Sequence, residues 1–135
     1  MQIADVLQRK GATVATINPD ATVTELLAGL AEHNIGAMVV VGPEGMQGVV
    51  SERDVVRKLH TDGADVLTRP VSEVMSAPVV TCKGGDSVDA LSVVMTEKRV
   101  RHVPVLDDGK LAGIVSNRDV VQELHEELQP YITQG

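Results

Sequence analysis

The stretch Gly48-Val-Val-Ser-Glu-Arg-Asp-Val-Val-Arg-Lys-Leu59 returns as Gly113-Ile-Val-Ser-Asn-Arg-Asp-Val-Val-Gln-Glu-Leu124. A tandem repeat of fixed period decides an architecture before any single residue does. Ser51 falls on Ser116 and Asp54 on Asp119, each 65 positions on, and the same shift carries Thr16 onto Thr81 and Leu26 onto Leu91. A unit of about 60 residues buries only roughly 60% of its unfolded surface and is marginal by itself. The two copies within 135 residues are therefore expected to share one core.

Each copy reads as strand, helix, strand, strand, helix, a mixed α+β pattern. In the first, Val14–Ile17 suits a short strand, Asn18-Pro19-Asp20 a turn, and Thr22-Val-Thr-Glu25 a capping box that starts a helix. Ala37–Val41 is a continuous β-branched run suited to a buried strand, Gln47–Val50 its hairpin partner, and Ser51 opens another helix. The second copy predicts strands around Val79–Cys82, His102–Leu106 and Leu111–Val115, with helices from Ser87 and Asn117. Short helical leads, Ile3–Leu7 and Val71–Met75, precede the copies and align 68 positions apart. The expected division is residues 1–62 with the first lead, a linker at 63–70, residues 71–126, and a tail at 127–135 whose helix stops near Pro130.

The formal charge of −7 disfavours nucleic acid, whose phosphates demand a basic surface. With no Phe or Trp and Tyr131 the one aromatic residue, stacking platforms are missing too, so a planar ligand must lie between aliphatic side chains. No apolar run approaches the roughly 18 residues of a membrane span, and no secretion signal is visible, so a cytoplasmic protein without membrane insertion is expected. Cys82 stands alone and reads as a small buried apolar residue. His33, His60, His102 and His125 show neither a metal spacing nor a partnered nucleophile, which argues against an enzyme and leaves no catalytic or metal residue to name.

The repeated segment places a hydroxyl, a guanidinium and a carboxylate at a strand-to-helix junction. Helix-start amides favour phosphate, a carboxylate accepts ribose hydroxyls, and the glycine permits a close approach of ligand to backbone. The same Ser51–Asp54 and Ser116–Asp119 spacing also describes a capping pair. In the second copy Arg101 and His102 add cationic or protonatable groups before Pro104, whereas Gly36 and Ala37 occupy the matching places of the first. The two sites are therefore expected to differ chemically.

Ile35-Gly-Ala-Met-Val39, Arg101-His-Val-Pro-Val105, both Ser-x-Arg-Asp segments and Asp86-Ser-Val-Asp-Ala-Leu91 occur in the order found in paired cystathionine-β-synthase (CBS) domains, which this chain resembles from about Ile3 to Leu124. The resemblance implies two tandem repeats packed as one pseudo-two-fold module, with clefts between the copies commonly holding adenosine compounds: AMP foremost, or ADP, ATP, NAD or S-adenosylmethionine. By position, Asp54 and Asp119 would hold ribose hydroxyls, Ser51 and Ser116 would meet ribose or phosphate, and Arg101 with His102 would face phosphate. Arg53, Asn117 and Arg118 belong to the same segments. Thr16 and Thr81, with the backbone around Val14 and Val79, would line the base, and Ile35 and Met38 would supply its aliphatic wall. Lys10-Gly11 resembles a lead of stand-alone bacterial members that reaches phosphate, and equally reads as a surface lysine before a helix C-cap glycine. The implied role is a non-catalytic sensor, homodimeric, acting on a separate regulated partner. A ligand-free structural adaptor is the alternative.

Overall fold

The computed structural model describes the backbone of residues 1–132 and side chains as far as His125. The chain forms two compact units: a contiguous one, Val14–Val79, and a split one, in which Met1–Thr13 joins the residues from Val80 onward.

In the contiguous unit, β1 is short, Thr16–Ile17, and Asn18 Oδ1 accepts the Asp20 amide at 2.9 Å to make the turn expected there. Thr22 caps α2 (Val23–His33) by accepting the Glu25 amide at 3.1 Å. Val23, Leu26 and Leu30 recur at helical spacing and are buried. Asn34 ends the helix in the left-handed region, φ 53°, a conformation asparagine tolerates. Next come β2 (Ala37–Gly42), β3 (Gly45–Ser51) and α3 (Glu52–Asp62). β2 lies between β1, to which it is parallel, and β3, to which it is antiparallel; Ala37 stands opposite Ser51.

The split unit repeats this plan. It contains α1 (Ile3–Lys10), β4 (Cys82–Lys83), α4 (Val88–Lys98), β5 (His102–Asp107), β6 (Lys110–Ser116) and α5 (Asn117–Ile132). β5 lies between parallel β4 and antiparallel β6, and His102 stands opposite Ser116. Ser87 caps α4. The last helix runs past Pro130 to Ile132 and so enters the expected tail.

The repeats in the sequence and the compact units do not coincide. Instead of covering its own copy, the first lead packs on the second: the amides of Ile3 and Ala4 donate to the carbonyls of Asp86 and Gly84, and the Val88 amide donates to the Met1 carbonyl. The second lead forms a 3₁₀ turn, Val71–Glu73, and covers the first copy, where the Val71 amide donates to the Ala21 carbonyl at 2.7 Å. The expected linker is structured as well, with a 3₁₀ turn over Ala64–Thr68 that buries Val66.

This exchange of leads replaces the expected shared core with two. One cluster gathers Val23, Leu26, Leu30, Met38, Val50 and Val55 with Val66, Val71 and Val74. The other gathers Val88, Leu91, Met95, Val103, Val105 and Val115 with Ile3 and Val6. Full burial of an aliphatic side chain contributes about 1.5–3 kcal/mol, so the donated leads give each unit a core larger than its repeat alone would build.

Candidate functional site

Ser51 ends β3 in an extended conformation and caps α3: the Asp54 amide donates to Ser51 Oγ at 3.2 Å, and the Ser51 amide donates to Asp54 Oδ2 at 2.8 Å. Ser51 Oγ itself donates to Oδ2 at 2.9 Å, and the Ser76 hydroxyl reaches Oδ1 at 3.4 Å. The Glu52 amide donates to the Gly36 carbonyl, which ties the start of β2 to the same corner.

The second corner has the same frame. The Asp119 amide donates to Ser116 Oγ at 3.2 Å, the Ser116 amide to Asp119 Oδ2 at 2.8 Å, and the Asn117 amide to the Arg101 carbonyl at 2.7 Å. The capping reading is therefore realised at both corners, and it leaves each carboxylate oriented by backbone. What differs is the third partner. Lys10 Nζ lies 2.6 Å from Asp119 Oδ2 and donates to the Ile114 carbonyl at 2.9 Å.

Gly11 is a helix end at φ 96°, its amide donating to the Leu7 carbonyl, so the cap reading holds for the glycine. The lysine is no idle surface residue: it sits on the candidate carboxylate.

The other nominated residues fall into place as follows. Arg53, Asn117, Arg118 and Arg101 are exposed, as are Thr16 and Thr81; His102, Val14, Val79 and Gly36 are half-buried. Ile35 is exposed, whereas Met38 belongs to the core of the contiguous unit, so the aliphatic wall expected of Met38 is not available from that side chain. Its neighbour Ala37, and Pro104 in the other sheet, are buried within their strands. Thr16 sits on β1, with β2 between it and the strand that carries Ser51.

The glycine that opens each motif serves the fold rather than a ligand. A Cβ on Gly48 would stand 2.7 Å from Met75 Sδ and 2.9 Å from the Ser76 carbonyl oxygen; on Gly113 it would stand 2.7 Å from Leu7 Cδ2. Leu7 and Met75 are the equivalent residues of the two leads, so each glycine makes room for a lead. Two further groups escaped the sequence reading, Ser76 at Asp54 and Arg9, whose guanidinium grips both oxygens of the buried Glu123 carboxylate at 3.2 and 3.0 Å; Lys10 was named there, but not its pairing with Asp119. A cavity of about 630 Å³ in the split unit, bordered by Gln2, Leu7, Lys83, Gly84 and Asp108, contains none of the nominated residues.

Burial pushes the Asp119 carboxyl up, but the Lys10 ammonium and the Ser116 amide together outweigh it and hold the group below the usual aspartate range. A carboxylate depressed in this way contributes stability that is present above its unfolded value near pH ~4 and is lost as pH falls through the lower folded value. Wild-type chain is therefore expected to lose more melting temperature between about pH 5 and pH 3 than Asp119→Asn, followed by circular dichroism; parallel losses would show that the ion pair does not couple to folding. Burial, with the nearby Asp86 charge, pushes the Cys82 thiol up to about 11, so it carries almost no thiolate near neutrality. Among the described residues no helix is long and apolar enough to cross a membrane.

The CBS domain family model matches residues 3–61 and 71–126. The CBS domain-containing protein YhcV of Bacillus subtilis is 35% identical over 107 residues, covering 79% of this chain and 76% of its own. The crystal structure of the CBS-domain containing protein ATU1752 from Agrobacterium tumefaciens superposes with a TM-score of 0.86 at 42% identity, covering 90% of this chain and 91% of that one. The CBS domain pair of protein MJ0100, solved in complex with 5′-methylthioadenosine and S-adenosyl-L-methionine, has the same fold at a TM-score of 0.83 and 22% identity, covering 94% and 98% of the two chains.

Proposed function

Because the chain belongs to the CBS domain family and carries two tandem copies, we infer that it is a non-catalytic regulatory module that binds an adenosine-containing ligand and signals to a separate partner. The observation that carries this reading is the duplicated corner, where a serine and backbone amides hold an aspartate at a helix start. In each, the carboxylate accepts ribose hydroxyls, and the dipole of the helix start favours an anionic tail beside it. The adenosine compounds in the MJ0100 complex mark what this fold accommodates. AMP, ADP, ATP, NAD and S-adenosylmethionine all present that sugar; Lys10, Arg101 and His102 favour a phosphorylated one at the split unit. The module acts in the cytoplasm, and as a homodimer; Val56 and Val121, equivalent residues more than half exposed on α3 and α5, support the pairing.

The adaptor reading has one observation in its favour, namely that both Ser–Asp pairs already serve as helix caps. A thermal-shift panel of the five compounds separates the two. A ligand at 100 times its dissociation constant adds about 2.7 kcal/mol of stability, so a binder raises the melting temperature by several degrees. No shift with any of them at millimolar concentration would favour the adaptor.

A further inference from the structure

Gly84 and Ala112 border the cavity of about 630 Å³ in the split unit, and their counterparts 65 positions earlier are Pro19 and Gln47. In the contiguous unit those two side chains meet beside Gly42: a Cβ placed there would touch Gln47 Nε2 and stand 3.3 Å from Pro19 Cγ. Gly42 is in turn the counterpart of Asp107, which borders the cavity as well. Space that a proline ring and a glutamine side chain fill in the first copy is therefore left open in the second, at a volume within the range of small-molecule pockets, roughly 300–1,000 Å³.

The walls are held in place. The Ala4 amide donates to the Gly84 carbonyl at 2.9 Å and the Lys83 amide to Asp86 Oδ2 at 2.8 Å. Asp108 and Gly109 both have positive φ, 51° and 77°, the pair that makes a tight hairpin turn and fixes this part of the rim. Leu7, Val105, Leu106 and Ala112 supply aliphatic lining, while Lys83 brings an ammonium and Asp107 and Asp108 bring two carboxylates. Among the described residues none of these three charged side chains has a hydrogen-bond or ion-pair partner. Lys83 stands opposite Leu106 in the sheet register, one residue from Asp107, so both signs of charge border one aliphatic hollow. An anion alone would meet the carboxylates, a cation alone the ammonium, and a nucleobase would find no ring to stack on. An aliphatic body that carries one charge of each sign matches the whole lining.

We propose that this cavity is a second ligand site, for a free aliphatic amino acid whose carboxylate pairs with Lys83, whose ammonium pairs with Asp107 and Asp108, and whose side chain covers Leu7 and Ala112. It borders neither serine-aspartate corner and does not rest on the adenosine reading.

Amide NMR titration of the isotope-labelled full chain with L-leucine tests it, with AMP titrated into the same samples to report the corners separately. Saturable shifts are expected at Gly84, Gly85 and Gly109. Isoamylamine and isocaproate, which each lack one of the two charges, are expected to bind about ten- to hundredfold more weakly, the range for one charge-assisted contact. Ala112→Gln installs the residue that the first copy carries at this place, and should abolish the leucine shifts while leaving AMP binding unchanged. Should that variant not fold, Lys83→Gln reads the same site: it weakens leucine by a similar factor and leaves isoamylamine unchanged or tighter. No saturable shift in the wild-type chain, leucine binding that persists in folded Ala112→Gln, or an amine or acid that binds as tightly as leucine overturns the proposal. The AMP arm then still decides the adenosine reading by itself.

Discussion

An Asp119→Asn chain is expected to bind its adenosine-class ligand about ten- to hundredfold more weakly than wild type, a loss on the order of 1.5–3 kcal/mol. The amide keeps the shape of the carboxylate and one acceptor oxygen, so the cap on the Ser116 amide survives and the helix start loses far less. What disappears is the ionised acceptor for two hydroxyls, together with the negative charge that holds Lys10. Calorimetry at fixed ionic strength reads the affinity and a melting curve reads the fold. Unchanged affinity in a folded variant would remove Asp119 from the binding site. Asp54→Asn makes the same comparison at the other corner, where no ammonium intervenes.

Gly48→Val is expected to destabilise the contiguous unit while replacing none of the candidate ligand residues. The first added carbon meets the Ser76 carbonyl oxygen and the Met75 sulfur inside ordinary contact distance. Ser76 cannot simply retreat, because its amide donates to the Val49 carbonyl at 2.9 Å and its carbonyl accepts the Val49 amide at 3.2 Å. Overpacking of this kind costs about 1–3 kcal/mol, with the upper end expected where backbone must move. At Gly113 the atoms nearest an added Cβ all belong to the Leu7 side chain, which can turn aside, so Gly113→Val should cost less. Urea melts of the two variants give the order; equal or reversed losses would show that the second lead yields as easily as a leucine side chain.

Much of this arrangement was legible in the sequence. The period of 65 placed His102 and Ala37 at equivalent registers opposite Ser116 and Ser51, because alternation along paired strands fixes which residues face each other. The capping pairs were readable because they are local, three residues apart. What local spacing does not encode is which copy a lead will cover. Leu7 and Met75 were recognisable as equivalents, yet nothing near them in sequence says that each lead packs on the other copy. Lys10 and Asp119 stand 109 residues apart and share no motif. The motif glycines misled for a different reason: a missing Cβ makes room equally well for a ligand or a leucine, and only the packed neighbour distinguishes them. Met38 lay in an apolar run that was rightly read as buried strand, and burial is incompatible with the wall also asked of it.

The split unit also orders events during synthesis. Helix α1 finds its ionic partner Glu123 only after 114 further residues have been added, roughly 5–25 seconds at bacterial-to-eukaryotic elongation rates. Through that interval its apolar stripe, Ile3 and Val6, has no sheet to cover. Among the described residues, the core of the contiguous half draws on none from α1 or from beyond Val79, so it can close while α1 is still waiting.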